Sequence, residues 1–135
     1  MKSILMLLFC TVFFNVDAAT LNKNDLFVRW IPQNEHFKTI SSYMEYKADG
    51  EVIFSHGASG ENIYRSKMVK EVDDLYIFHF YNPDSTLRFK FVASGWKTET
   101  SYIRMLFGIL YEYNVIEGKE QIVNGFPLNY LLREN

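Results

Sequence analysis

Past residue 20, short runs rich in Tyr, Phe, Val and Ile are separated by clusters of turn-forming residues. These clusters are KADG (47–50), HGASGEN (56–62), VDD (72–74), NPDS (82–85), SGWK (94–97), IEGK (116–119) and VNG (123–125). Several runs alternate with a period of two, the signature of a half-buried strand. In TLRFKFVA (86–93), Leu87, Phe89 and Phe91 share one face while Arg88 and Lys90 take the other. In YMEYK (43–47), Met44 and Tyr46 lie together, with Glu45 opposite. The run LYIFHFY (75–81) is apolar on both faces, which predicts a central strand covered on both sides. Leu75, Ile77 and Tyr81 would share the face of His79.

The segment SYIRMLFGILYEYNV (101–115) admits two readings. As a strand it places Ile103, Met105, Phe107, Ile109 and Tyr111 on one face. As a helix it carries a stripe of Ile103, Leu106, Phe107 and Leu110 behind an N-cap at Thr100. Its Tyr, Ile, Phe and Val content favours a long strand bent at Gly108. Residues 19–25 read as a loose leader. QIVNGFPLNY (121–130) predicts a terminal hairpin turning at Asn124-Gly125. Pro127 would then sit on an edge strand, where it blocks further pairing and favours a monomer. Strands at this spacing predict one all-β domain, an antiparallel β-sandwich of jelly-roll-like form, with a small β-barrel as the alternative.

The N-terminus changes the compartment. Lys2, the apolar run Ile4 to Phe14, and the small residues Val16 and Ala18 around Asp17 form a secretory signal peptide at residues 1–18. Its apolar run is shorter than the roughly 20 residues a bilayer span requires, which argues against an uncleaved anchor. Cleavage after Ala18 would leave residues 19–135 as a single extracellular domain, with the ER or Golgi lumen as the alternative location. It would also remove Cys10, the only cysteine, so no disulfide is expected and the core must hold the fold alone. The net charge of −2 and the absence of basic runs speak against nucleic acid. No later segment reads as a membrane span.

The chemistry-bearing residues form no catalytic constellation, and no enzyme activity, cofactor or metal site is expected. Ser59 lies in Gly57-Ala58-Ser59-Gly60, one residue short of a nucleophile elbow and between strands. His36, His56 and His79 show no paired metal-ligand spacing. Asp49, Asp73, Asp74 and Asp84 sit at turns, where Asp bonds nearby amides. The aromatic content is the more informative signal: twelve Phe, nine Tyr and two Trp, only Phe9, Phe13 and Phe14 of them in the leader. Tyr and Trp combine apolar area with a polar tip and suit contact surfaces. Trp96, expected in a loop, is the first such candidate; Tyr81 and His79, on the central strand, are the others.

Three features between residues 37 and 92 carry a resemblance to a known family. They are the turn and strand at Asp49–Ile53, the strand Tyr76–Asn82, and Ser85-Thr86 after it. This stretch resembles a GOLD (Golgi dynamics) domain, the luminal β-sandwich of cargo adaptors that cycle between ER and Golgi. The resemblance implies a sandwich that contacts other proteins. It also implies a core position for His79, where the membrane-bound adaptors carry a cysteine; a buried imidazole there needs a hydrogen-bond partner. The adaptors' paired cysteines, coiled coil and transmembrane helix have no counterpart here, so coat binding does not carry over.

The functional expectation is therefore a secreted, non-enzymatic module that contacts a protein partner through strand edges and Trp96. The alternative is a carrier of a small apolar ligand, a calyx-like barrel lined by Tyr46, Phe54, Phe78, Phe80, Phe89 and Phe91. Whether those six side chains meet one another or surround a void separates the two.

Overall fold

The computed structural model describes residues 18–100 and 102–133. The signal-peptide reading falls outside the described residues, except for Ala18. Nine strands form one strongly curled antiparallel sheet: β1 (Ala18–Thr20), β2 (Arg29–Pro32), β3 (Ser41–Tyr46), β4 (Glu51–His56), β5 (Asn62–Val72), β6 (Leu75–Tyr81), β7 (Leu87–Thr98), β8 (Ile103–Ile116) and β9 (Lys119–Arg133). A 3₁₀ turn (Lys23–Leu26) precedes β2, and one helical turn, α1 (Glu35–Lys38), follows it. Among the described residues no helix is long and apolar enough to cross a membrane.

The expected two-sheet sandwich is not what the chain builds. From β2 to β9 each strand pairs with the next, and β9 pairs back on β2 through Ile31 with Leu131 and Pro32 with Tyr130. The long strands β5, β7, β8 and β9 (11 to 15 residues) dominate a half-barrel, and the short β2 and β3 span what remains. Alternation says which side chains share a face; stacking two sheets and curling one both satisfy it. Register shifts at Ser41/Tyr43, Met68/Lys70, Phe80/Tyr81 and Glu112/Tyr113 supply bulges that bend and twist the strands into the curl.

The inward faces make a single aromatic core. Trp30, Phe54, Phe78, Phe80, Phe89, Phe91 and Tyr130 have no surface open to water, and Tyr46 is buried with them. The alternation in β7 and β3 places Leu87, Phe89, Phe91, Met44 and Tyr46 inward, as their sequence pattern predicts. Of segment 101–115, residues 103–115 lie in strand β8, and its ladder to β7 runs through Gly108 unbroken; the register shift falls at Glu112/Tyr113 in the pairing with β9.

Four local expectations fail for identifiable reasons. Strand β6 buries only Tyr76, Phe78 and Phe80, so Leu75, Ile77, His79 and Tyr81 lie on the outer wall instead of in a second core layer. Trp96 belongs to β7, since SGWK continues the strand. Asn124-Gly125 lies within β9; the chain turns instead at Glu117 and Gly118, with φ of 52° and 75°. Finally, residues 19–25 are tied down. Thr20 pairs with Trp96, Asn22 and Asp25 form a reciprocal capping box, and the Tyr76 hydroxyl donates to the Leu21 carbonyl at 2.8 Å.

That N-terminal segment latches one end of the curl. Asp25 accepts from Lys97 Nζ at 2.8 Å, both side chains being largely shielded from water, and the Asp25 carbonyl accepts from Arg104 at 3.0 Å. Burial alone would raise the Asp25 pKa, but Lys97, the Asn22 amide and Arg104 together hold it below the usual value. The Trp30 indole N–H donates to the Leu26 carbonyl at 3.1 Å in the interior.

Candidate functional site

The two sides of the wall differ in chemistry. Across β2 to β5 the outer face carries ion pairs: Arg29 with Glu45 at 3.1 Å, and Glu51 with both Lys47 and Arg65 at 3.1 and 2.9 Å. The outer positions of β8 are apolar, flanked by Val92 and Trp96 on β7 and by Pro127 and Leu131 on β9, while Arg88, Lys90 and Ser94 keep polar outer positions on β7. Every outward position of β8 from Ile103 to Tyr111 is Ile, Met, Phe or Tyr. An antiparallel sheet with one face in water normally alternates apolar-in and polar-out, and β8 breaks that rule.

Register aligns these residues into rows. Trp96, Met105, Leu131 and Ile31 are successive cross-strand neighbours over β7, β8, β9 and β2. Four residues along, Ile77, Val92, Ile109 and Pro127 make a second apolar row over β6 to β9. Between them lie Ser94, Phe107 and Asn129. Ile31, Phe107 and Ile109 are 44%, 38% and 41% exposed, so this surface is not covered by the other described residues. With strands about 4.8 Å apart and about 3.4 Å per residue, the patch measures roughly 300–400 Å². That is the size at which an exposed apolar patch on a soluble protein is commonly functional.

The residues singled out in the sequence divide over this wall. Trp96 is half-buried in the first row. His79 and Tyr81 lie outward on β6 beyond the second apolar row, where His79, Lys90 and Tyr111 are cross-strand neighbours. His79 is half-buried rather than in the core position that the family resemblance implies, and its Nδ1 lies 3.2 Å from the Tyr81 hydroxyl. Burial and then the nearby Lys90 hold its pKa below the ordinary imidazole range, against the opposite pull of Glu120. Lys90 Nζ sits over the Tyr111 ring at 5.6 Å. The structure therefore brings Trp96 together with Met105, Leu131 and Ile31, but not with Tyr81. The β8 residues Phe107 and Ile109 were legible as one face; their outward direction was not.

The remaining groups have local roles. Ser59 sits exposed in a turn, its hydroxyl accepting from the Glu61 amide at 3.4 Å. Asp49 and Asp84 accept from the amides of Glu51 and Thr86, as turn aspartates do. His36 is exposed on α1, while His56 packs on Phe89 with ring centroids 4.6 Å apart. Among the described residues no group of three or more His, Cys, Asp and Glu is placed to hold a metal ion.

Inside, the aromatic side chains contact one another. Ring centroids lie 5.9 Å apart for Tyr46 and Phe78, 4.9 Å for Phe54 and Phe80, 5.6 Å for Phe54 and Phe89, and 6.3 Å for Phe78 and Phe91.

The fold and site thus define an all-β chain built on one curled antiparallel sheet with an apolar outer wall. No family model, curated protein or solved structure matches it.

Proposed function

We propose that this chain is a secreted, non-enzymatic binding module that docks a partner protein on the outer wall of β7, β8 and β9. The observation that carries the reading is the pair of apolar rows, Trp96-Met105-Leu131-Ile31 and Ile77-Val92-Ile109-Pro127. Leaving such surface in water has no benefit to a monomer, whereas covering it returns about 25 cal/mol per Å². The patch is smaller than the roughly 800 Å² per partner of a standard stable interface. A transient partner therefore fits it better than a permanent second subunit. The carrier alternative has less support, because the six side chains proposed to line a calyx pack on each other.

Native mass spectrometry of the secreted protein with its co-purified material tests this. The expected result is a complex with a second polypeptide that Phe107→Glu dissolves while the variant stays folded. A bound small molecule, lost on denaturation and unaffected by Phe107→Glu, would overturn the reading in favour of the carrier.

A further inference from the structure

The outer wall has a charge of its own. Over 75–81 of β6, 88–98 of β7, 103–111 of β8 and 125–133 of β9, no outward position is Asp or Glu. The whole chain has 16 acidic residues against 14 basic ones, so this absence belongs to the wall and not to the composition. Two cations remain at its margins. Lys90 pairs across the ladder with Tyr111, and Arg133 with Ile103. They therefore flank the apolar run of β8 on opposite sides and at opposite ends.

Neither cation is neutralised within the fold. Among the described residues Arg88 pairs with Glu112 and Lys97 with Asp25, while Lys90 and Arg133 make no ion pair. Lys90 Nζ lies over the Tyr111 and Tyr113 rings at 5.6 and 5.7 Å, which holds it beside β8. Farther along β9, the Glu120 carboxylate is taken by the Leu87 amide at 2.7 Å. At about 3.4 Å per residue along β8 and about 4.8 Å per strand across, Lys90 and Arg133 stand roughly 30 Å apart.

The centre of the wall is not purely apolar either. Phe107 is flanked by Ser94 on β7 and Asn129 on β9. Asn129 gives one N–H to Gln33 at 3.4 Å, which leaves its other polar groups and the Ser94 hydroxyl to be satisfied from outside. Lipid chains laid over this row would strip water from those groups and return no hydrogen bond. Anionic bilayers, moreover, are recognised by clustered basic residues, not by two set this far apart. A protein surface can supply hydrogen bonds at the centre and a carboxylate at each margin.

We propose that the partner protein docked on this wall is acidic: an apolar centre covers the rows around Phe107, and carboxylates at its edge meet Lys90 and Arg133. This rests on the wall being the docking surface and adds the charge of what docks there. Opposite charges at a rim steer encounter and fix register more than they add affinity. The signature therefore lies in the association rate and its response to salt.

The test uses a display library of one small helical domain whose randomised face admits apolar, acidic, basic and neutral polar residues. It is selected on the full secreted chain, and binding kinetics are measured on the parent, on Phe107→Glu and on the double variant Lys90→Gln with Arg133→Gln. Circular dichroism checks that each variant is folded. The expected binders carry a net negative face and lose about tenfold or more in affinity with Phe107→Glu. They should associate about tenfold more slowly with the double variant, whose rate no longer falls as salt is added. Should the double variant not fold, Arg133→Gln alone, exposed near the end of β9, should slow association about threefold. Binders that need Phe107 but are neutral or basic, or that ignore the loss of both cations, would overturn the acidic partner and leave the wall as the docking surface. Binders indifferent to Phe107→Glu, or no enrichment over an unrelated control protein, would overturn both. Phe107-dependent binding to vesicles of phosphatidylcholine with phosphatidylserine would overturn the proposal in favour of a membrane.

Discussion

Gly108 is where the close seating of β8 on β7 can be tested with a single methyl group. A Cβ built on Gly108 would lie 2.0 Å from the Val92 carbonyl oxygen and 2.7 Å from the Ala93 Cα, both backbone atoms. A flexible side chain could move aside; a strand paired on both edges cannot. Overpacking a filled site costs about 1–3 kcal/mol, and a contact with fixed backbone belongs at the upper end, about 3 kcal/mol. For a domain of this length, each kcal/mol shifts Tm by about 3–6 °C, so Gly108→Ala should melt about 9–18 °C below the parent. Gly125→Ala is the control. Its Cβ would meet Tyr111 at 3.7 Å, an ordinary contact, and stability should stay level or rise by up to about 1 kcal/mol. Urea unfolding followed by the fluorescence of Trp30 and Trp96 measures both at unchanged m-value. Equal midpoints for Gly108→Ala and the parent would refute the close approach. An equal loss in Gly125→Ala would show that the cost belongs to any strand glycine.

Other outcomes follow from the core, the latch and the half-buried imidazole of His56. Phe91→Ala removes a ring packed on Phe78 and Tyr130 and should cost about 3–5 kcal/mol by urea titration. Asp25→Asn weakens the bond from Lys97 and should cost about 2 kcal/mol. Because Asp25 is depressed in the folded state, its contribution is complete above the unfolded carboxylate pKa of about 3.9. It is lost as pH falls through the lower folded value, and the variant should lack that acid step. His56 is held down by burial first, with Arg88 adding to this and Glu112 opposing it. The unfolded chain then binds a proton that the folded chain resists, so stability should fall as pH drops below about 6.5; His56→Gln should flatten that slope.

How much of this was legible varies by residue. The alternation at Leu87, Phe89 and Phe91 gives the inward face of β7 directly, because side chains on a strand have no other period to follow. The same rule misled at 75–81. It treats apolar as buried, and Leu75, Ile77 and Tyr81 are apolar residues on an outer wall. Trp96 and Asn124-Gly125 were read as turns from short-range chemistry, which the long ladders of β7, β8 and β9 override. The choice of a curled sheet over the sandwich was out of reach: it depends on four-residue β2 meeting β9, a pairing between residues that no local pattern connects. The candidate site shared this limit, since Phe107 and Ile109 could be grouped on one face without any sign of which side that face takes.

The pairing of Ile31 with Leu131 has a consequence for how the protein is made. The ribosome releases β2 among the first strands and β9 last. Every intervening hairpin can zip locally as it emerges, but β2 keeps one side vacant until β9 has emerged. Local pairings form fast and distant ones late. The nascent chain therefore travels as a growing ribbon with Ile31 at one margin, and only the emergence of β9 closes it.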